Sequence, residues 1–223
     1  MEEIRGVPDV KNKHGKWMLS YLDINHQRYR TISGGRWKDI QKRVSESSNF
    51  IGRNGSYIGC KNGFNDFQEF VEWSISQLGY DFRNPNGTLF HLDKDILVPG
   101  AKIYSERTCT FVSCRINSLI TSCKSNKGLY PIGVSRRKNS NSYRAACRRD
   151  GGLIHLGCFS DPMEAHRAWQ KFKAEEIARV SAIEFNSGLL SEAAFLSLCK
   201  LSSRIASDAA DGKETVIKES QHG

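Results

Sequence analysis

The stretch His91-Leu92-Asp93-Lys94-Asp95-Ile96-Leu97, followed by the Pro99-Gly100 turn and running on to Asn117, decides how this chain is read. It sets a His, two Asp and a Lys among a few apolar residues. Leu89 to Leu97 has strand length, Lys102-Ile103-Tyr104 and Thr110-Phe111-Val112 read as extended, and Ser113 to Thr121 reads as a short helix carrying Asn117. Carboxylate and amide oxygens at the two ends of such a hairpin-plus-helix unit are the donors a hard divalent cation prefers. The alternative reading of Asp93 and Asp95 is a solvated turn. For Asn117 it is a helix-capping or core amide.

The chain before this unit reads as its platform. Asn65 is expected as an N-cap with Gln68 completing a capping box. Phe67, Phe70, Val71, Ser74, Ile75 and Leu78 then fall on one helical face, closed by Gly79. Phe64, Phe67, Phe70 and Trp73 are expected in the core rather than on a base-stacking surface. Upstream, Trp37, Ile40 and Val44 recur at helical spacing from about Arg36, and Ser45 to Gly63 reads as loop. The first 35 residues read as an arm with short strands at Trp17–Leu22 and Gln27–Ile32.

The chain after it reads as a separate module. Three strands are expected, Tyr130 to Arg136, Ser142 to Arg148 and Leu153 to Phe159, joined by turns at Lys138-Asn139-Ser140-Asn141 and Asp150-Gly151-Gly152. Asp161 as N-cap, Pro162 at N1 and Glu164 at N3 then open a helix. Its Ala165, Ala168, Trp169 and Phe172 would face the sheet. A further helix from about Ser191 carries Ala194, Leu198, Leu201 and Ile205 on one side, and the polar chain beyond Ser207 is expected to fray. The fold class expected is α+β. Its parts are an arm at 1–35, a nuclease-like unit at 36–121, a linker at 122–129, a sheet-plus-helix module at 130–185 and a C-terminal helix and tail at 186–223.

Composition narrows the partners. The 223 residues carry a net charge of +9. Between Lys124 and Val180 there are twelve Lys and Arg against five Asp and Glu, a local excess expected of a polyanion-binding face. Arg136, Arg144 and Arg148 would be spaced along the exposed sheet face, with Arg137, Lys138 and Arg149 near the strand ends. Some of them are expected to be only solvated edge charges. No run of eighteen apolar residues occurs, and the N-terminus lacks a secretion pattern, so no membrane and a cytoplasmic location are expected. The seven cysteines include no Cys-x-x-Cys pair and read as reduced, mostly buried thiols rather than a zinc site.

Two resemblances follow from these residues. Tyr130-Pro131-Ile132-Gly133-Val134, Tyr143-Arg144-Ala145, His155-Leu156-Gly157-Cys158-Phe159 and Glu164-Ala165 resemble the three-strand-plus-helix DNA-binding domain of plant ethylene-response factors (the Apetala type), which also occurs in phage endonucleases. Residues 37–121, with Leu92-Asp93-Lys94-Asp95-Ile96-Leu97, Tyr104-Ser105, Cys109-Thr110-Phe111-Val112 and Ile116-Asn117, are similar to phage HNH or homing endonucleases. The second resemblance implies a ββα-metal unit acting on double-stranded DNA with Mg²⁺ or another divalent metal. Asp93-Lys94 stands where that family carries Asp-His, and Asn117 takes the helix position. By the resemblance Asp93 and Asn117, with Asp95 as a further ligand, would hold the metal. His91 would be the general base and Lys94 a phosphate contact.

One position departs from the pattern. Ala101 stands where the family's hairpin loop carries Asn, in Gly100-Ala101-Lys102. Alanine can neither orient a base nor ligate a metal, so the site is either decayed or deliberately disabled. The functional expectation is a metal-dependent DNA endonuclease or nickase of phage origin, disabled or not by Ala101. The alternatives are a non-catalytic DNA-binding regulator derived from such an enzyme and a protein that uses its basic face against an acidic partner.

Overall fold

The structure is a computed structural model that describes residues 3–45, 57–121, 129–138 and 140–216. Contacts divide the chain into two units, Met1–Ser113 and Cys114–Gly223. The described residues form a mixed α+β fold with five helices and several small sheets.

In the first unit the residues read as an arm make a sheet. Strand β3 (Arg28–Thr31) lies between β1 (Ile4–Val7), to which it is parallel, and β2 (Ser20–Leu22), to which it is antiparallel. It runs straight into helix α1 (Ile32–Val44), capped by the Thr31 side chain accepting from the Gly34 N–H. The helix starts before Arg36 because Gly34-Gly35, which reads as a break, lies inside its first turn. A Cβ on Gly34 would stand 2.0 Å from the Leu19 carbonyl oxygen, so the close approach of β2's entry to the helix needs glycine.

Helix α2 (Phe67–Ile75) is capped one residue later than expected. Asp66 accepts from the Glu69 N–H, and the Glu69 carboxylate reaches back to the Asn65 N–H. Gln68 is thereby released from capping. Its amide both accepts from the Trp17 N–H at 2.8 Å and donates to the Trp17 carbonyl at 3.1 Å. Behind α2 the aromatic residues close a core of Phe64, Phe70, Trp73, Phe90, Tyr104 and Phe111, against which Trp37 and Phe67 pack. Two small pairings complete the unit. Strand β4 (Lys61–Asn62) is parallel to β6 (Ile103–Tyr104), and β5 (His91–Asp93) is antiparallel to β7 (Thr110–Val112). Only the centre of Leu89–Leu97 is strand.

The second unit opens with helix α3 (Cys114–Thr121), which the sequence reading had grouped with the residues before it. Of the linker expected at 122–129, residues 122–128 lie outside the described residues. Strands β8 (Val134–Arg136), β9 (Tyr143–Arg149) and β10 (Gly152–Phe159) form an antiparallel sheet with β9 central. Asp150 (φ 49°) and Gly151 (φ 84°) turn β9 into β10, both left-handed as a two-residue hairpin of right-handed twist demands. Helix α4 (Pro162–Asn186) starts as expected, with the Asp161 carboxylate accepting from the Glu164 N–H. Its Trp169 packs with Ile132 and Cys147 under the sheet. Helix α5 (Glu192–Ala210), capped by Ser191, packs along α4, and Phe185 and Phe195 stack with ring centres 4.5 Å apart.

Residues 208–216, expected to fray, are held instead. Thr215 is fully buried, donates its N–H to His166 Nε2 at 3.0 Å and its hydroxyl to Asp208, and accepts from Gln170. His166 Nδ1 meets the Ile132 carbonyl at 2.9 Å, so the ring is neutral with its proton on Nδ1. Of the six cysteines among the described residues all are free thiols, and Cys60, Cys109 and Cys147 are buried while Cys158 is exposed. No helix among the described residues is long and apolar enough to cross a membrane.

Two outcomes follow from the second unit. A Cβ at Gly133 (φ +82°) would stand 2.1 Å from Trp169 Cδ1. Gly133→Ala therefore combines left-handed strain with overpacking and is expected to cost about 2–5 kcal/mol in urea unfolding. Burial holds the His166 pKa below its ordinary value, so the unfolded chain binds a proton more readily as pH falls through about 6.5. Burial acts on His91 in the same direction. Stability is thus full above about pH 6.5 and declines below it. His166→Gln should flatten part of that decline, and an unchanged pH profile would show that this ring does not carry it.

Candidate functional site

The turn after β5 is built from its own polar residues. Asp93 ends the strand, and its Oδ1 accepts the N–H groups of Asp95 at 2.7 Å and Ile96 at 2.9 Å, an Asx-type turn that closes the chain on itself. That turn carries Lys94 inward, where it is only 6% exposed. Its ammonium donates to Asp95 Oδ1 at 2.7 Å and to the Ala101 carbonyl at 2.6 Å, and lies 6.0 Å from the centre of the Tyr104 ring. Lys94 is therefore a structural cation tying the two ends of the loop from 94 to 101. A phosphate could not reach it without opening that loop, which corrects the role expected for it. Ala101, at 9% exposure, is buried beside it.

His91 is exposed on β5. Partial desolvation of its ring, which is enclosed on one side only, and the positive charges of Arg43 and Arg36 hold its pKa below the ordinary value, against an opposite pull from Asp93. The imidazole is neutral at neutral pH, the form a general base requires.

The oxygen donors expected to share a metal are differently employed. Asp93 Oδ1 is committed to two backbone N–H groups and Asp95 Oδ1 to the Lys94 ammonium. Asn117 lies half-buried on α3 in the second unit, its backbone carbonyl accepting from the Thr121 hydroxyl. Among the described residues no group of three or more His, Cys, Asp and Glu is placed to hold a metal ion. The donors around the turn do not fit a divalent cation as they stand, because an internal ammonium already neutralises Asp95.

The β8–β10 sheet sorts its charges by pleat. Arg144 and Arg148 are exposed and alternate with the buried Ala145 and Cys147, so they share the face turned away from α4. Ser135, Leu153 and His155 join them by register. An irregularity between His155 and Gly157 shifts the pleat, which puts Cys158 opposite Arg144 on that same face, its Sγ 3.6 Å from His155 Nε2. Arg136 pairs with Tyr143 on the other side of the pleat but is exposed, its Nη2 on Asn141 Oδ1. Arg137 and Lys138 are exposed beyond it.

Arg149 faces the helix. It lies 4.4 Å from the Phe172 ring centre and pairs with Glu176 at 2.9 Å, so it is a strut and not an outward-facing contact. Glu176 also pairs with Arg179, which reaches Asp150 in the hairpin turn, and Asp150 takes Arg115 of α3.

Sequence reading missed a cavity of about 280 Å³ in the first unit, bounded by β1, β3, α1 and β5 and lined by Arg36, Lys38, Lys42, Arg43 and His91 among others. The signal was the density of Lys and Arg along α1, which a helical-face reading aimed at Trp37, Ile40 and Val44 passes over.

The internal role of Lys94 is open to test. Removing the ammonium takes the opposite charge from the Asp95 carboxylate and the donor from the Ala101 carbonyl. Breaking a fully buried pair costs about 3–5 kcal/mol, and the partial exposure of Asp95, 18% of its side chain, brings the expectation for Lys94→Met down to about 2–4 kcal/mol. Lys94→Met with Asp95→Asn should recover part of this in a double-mutant cycle by urea unfolding. A cost below about 1 kcal/mol for Lys94→Met would mean the ion pair organises nothing. No family model, no curated protein and no solved structure matches the chain.

Proposed function

We propose that this chain is a DNA-binding protein that engages duplex DNA through the outer face of the β8–β10 sheet, and that its β5–β7 unit is a nuclease-like centre no longer organised for hydrolysis. The observation that carries the reading is the pairing of Arg144 and Arg148 on one exposed pleat, with the half-buried Ala146 between them. Strand geometry separates two such residues by about 13 Å, a span matched to the width of the major groove, about 12 Å. Guanidinium groups suit both bidentate contact with guanine and contact with phosphate. The excess of positive charge in the same stretch of sequence supplies the long-range attraction.

Loss of hydrolysis rests on the turn after β5. Lys94 supplies the positive charge that a divalent ion would otherwise bring to Asp95, and Ala101 offers a backbone carbonyl that Lys94 already uses. The second reading is an active HNH-type nuclease. It is favoured by one observation: the antiparallel β5–β7 pair leads directly into α3 with Asn117, the ββα order of that family. There His91, neutral and exposed, would take the proton from an attacking water, and Mg²⁺ binding would first require Lys94 to leave Asp95.

The two readings separate in paired assays. Fluorescence anisotropy of duplex DNA should show binding with a steep salt dependence, and Arg144→Ala or Arg148→Ala should each lower the slope of log K against log salt by about one. Arg149→Ala should act through stability, lowering the unfolding midpoint while leaving that slope unchanged. Plasmid nicking with Mg²⁺ by the unaltered chain would decide for the enzyme. Nicking only after Ala101→Asn would mark a disabled nuclease that still binds, and absence of salt-dependent binding would overturn the proposal.

A further inference from the structure

We infer that the cavity between α1 and β5 in the first unit is a phosphate site, sized for a single phosphate group carrying a sugar-sized apolar body. Nothing in this inference depends on the sheet of the second unit. Six Lys and Arg line the cavity, with Asp39 the one carboxylate among its lining residues. Glu3 offsets two of the six, pairing with Arg30 at 2.5 Å and Arg5 at 3.2 Å. The other four, Arg36, Lys38, Lys42 and Arg43, all come from one helix.

Arg36 is the most informative of these. It lies 4.2 Å over the Phe111 ring, and its Nη2 donates to the Phe90 carbonyl at 3.1 Å. Its Nη1 is buried without a hydrogen-bond partner. A buried donor left unmet costs about 1–3 kcal/mol, more when charged, so such groups are few in native proteins. Burial lowers the Arg36 pKa to about 10 even though the carboxylates of Asp9 and Asp81 pull the other way. The guanidinium is thus kept where burial penalises its charge, in the wall of a cavity lined by further cations.

Arg43 is fixed in a similar way, within 3.3 Å of the Tyr104 hydroxyl and 5.3 Å from the Tyr57 ring centre. Two guanidinium groups braced by aromatic rings are preorganised donors, and clustered cations in a concave, low-dielectric wall focus potential on whatever enters. The ligand class follows from chemistry and size. Forked N–H donors match phosphate oxygens in pairs. Ile32, Ile40, Phe90 and Leu92 supply apolar wall as well, which suits a sugar or small base better than bare ions. The volume of about 280 Å³ lies at the small end of ligand pockets, so one nucleotide unit fits and a longer one does not. That unit can be a free mononucleotide or one residue of a strand.

Calorimetric titration of the full chain tests the site at constant ionic strength, with inorganic phosphate, a deoxynucleoside monophosphate and a short single-stranded oligonucleotide as separate probes. A saturable one-site isotherm with the mononucleotide tighter than inorganic phosphate identifies a free nucleotide. Saturable binding by the oligonucleotide alone identifies a strand phosphate. Either supports the site, provided Lys38→Glu, an exposed change, weakens binding at least fivefold and Arg36→Met abolishes it. With the mononucleotide as probe, the Arg144→Ala, Arg148→Ala double variant should titrate like the parent. The inference fails if no probe gives saturable heat, or if Lys38→Glu binds as the parent does. Because Lys38 is exposed, that arm stands even if Arg36→Met does not fold.

Discussion

Taking a charge out of water costs several kcal/mol unless partners replace the lost hydration, and the architecture of both units follows from charges placed under that constraint. Lys94 is the decisive case. Its ammonium can be buried only because Asp95 and the Ala101 carbonyl stand on either side of it, and together those contacts fix the whole loop between β5 and β6. The loop in turn sets where His91, Asp93 and Tyr104 lie. Arg36 obeys the same rule incompletely, with one half of its guanidinium met by the Phe90 carbonyl and the other half unmet. The second unit solves the problem with more partners. Lys173, 1% exposed, donates to the Leu119 carbonyl, and Glu176, also 1% exposed, is held by Arg149 and Arg179.

That difference bears on function. In the second unit Lys173 and Glu176 are held within the fold, and the outward pleat of Arg144 and Arg148 is the face proposed to meet a partner. The chain Arg149–Glu176–Arg179–Asp150–Arg115 joins the sheet, α4, the hairpin turn and α3 into one network, which stiffens the strand that presents the exposed arginines. A stiff strand loses little conformational entropy on docking and holds its side chains in register with a groove. In the first unit the charges are less completely used, and the residue left short of a partner, Arg36, borders a cavity.

What could be read from the sequence was set by how local the governing interaction is. Asp161-Pro162-Met163-Glu164 starts α4 through a cap that involves neighbours only, and Asp150-Gly151 makes its turn through its own dihedrals, so both were legible. The core aromatics around α2 were legible because periodicity reports burial directly. Asn65 and Asp66 are both good caps, and Glu69 ties to both, giving its N–H to Asp66 and accepting the Asn65 N–H. Lys94 and Arg149 were misplaced for a different reason. Long cationic side chains are exposed by default, and only distant partners, Ala101 and Glu176, reveal them as internal. The tail beyond Ser207 is polar in composition, yet Thr215 is buried through His166 and Gln170, residues nearly fifty positions away. No local pattern encodes that contact.

Ala101 is where the local and distant influences meet. As a sequence departure it suggested a missing amide, a simple deletion from a nuclease centre. In the fold it is a buried position whose carbonyl is an acceptor for Lys94, so the position still contributes to the turn through its backbone. An Asn side chain there would have to find partners for its own donors and acceptor inside a site that an ammonium already organises. Placing Asn at 101 therefore does more than restore a functional group: it competes with Lys94 for the oxygens that hold the loop. If the centre descends from a metal site, the substitution of the loop residue and the inward turn of Lys94 are two parts of one change, in which a fixed internal cation replaced an exchangeable one. A chain that had merely lost an amide would keep its carboxylates open to solvent and metal, and here Asp95 is instead closed onto Lys94.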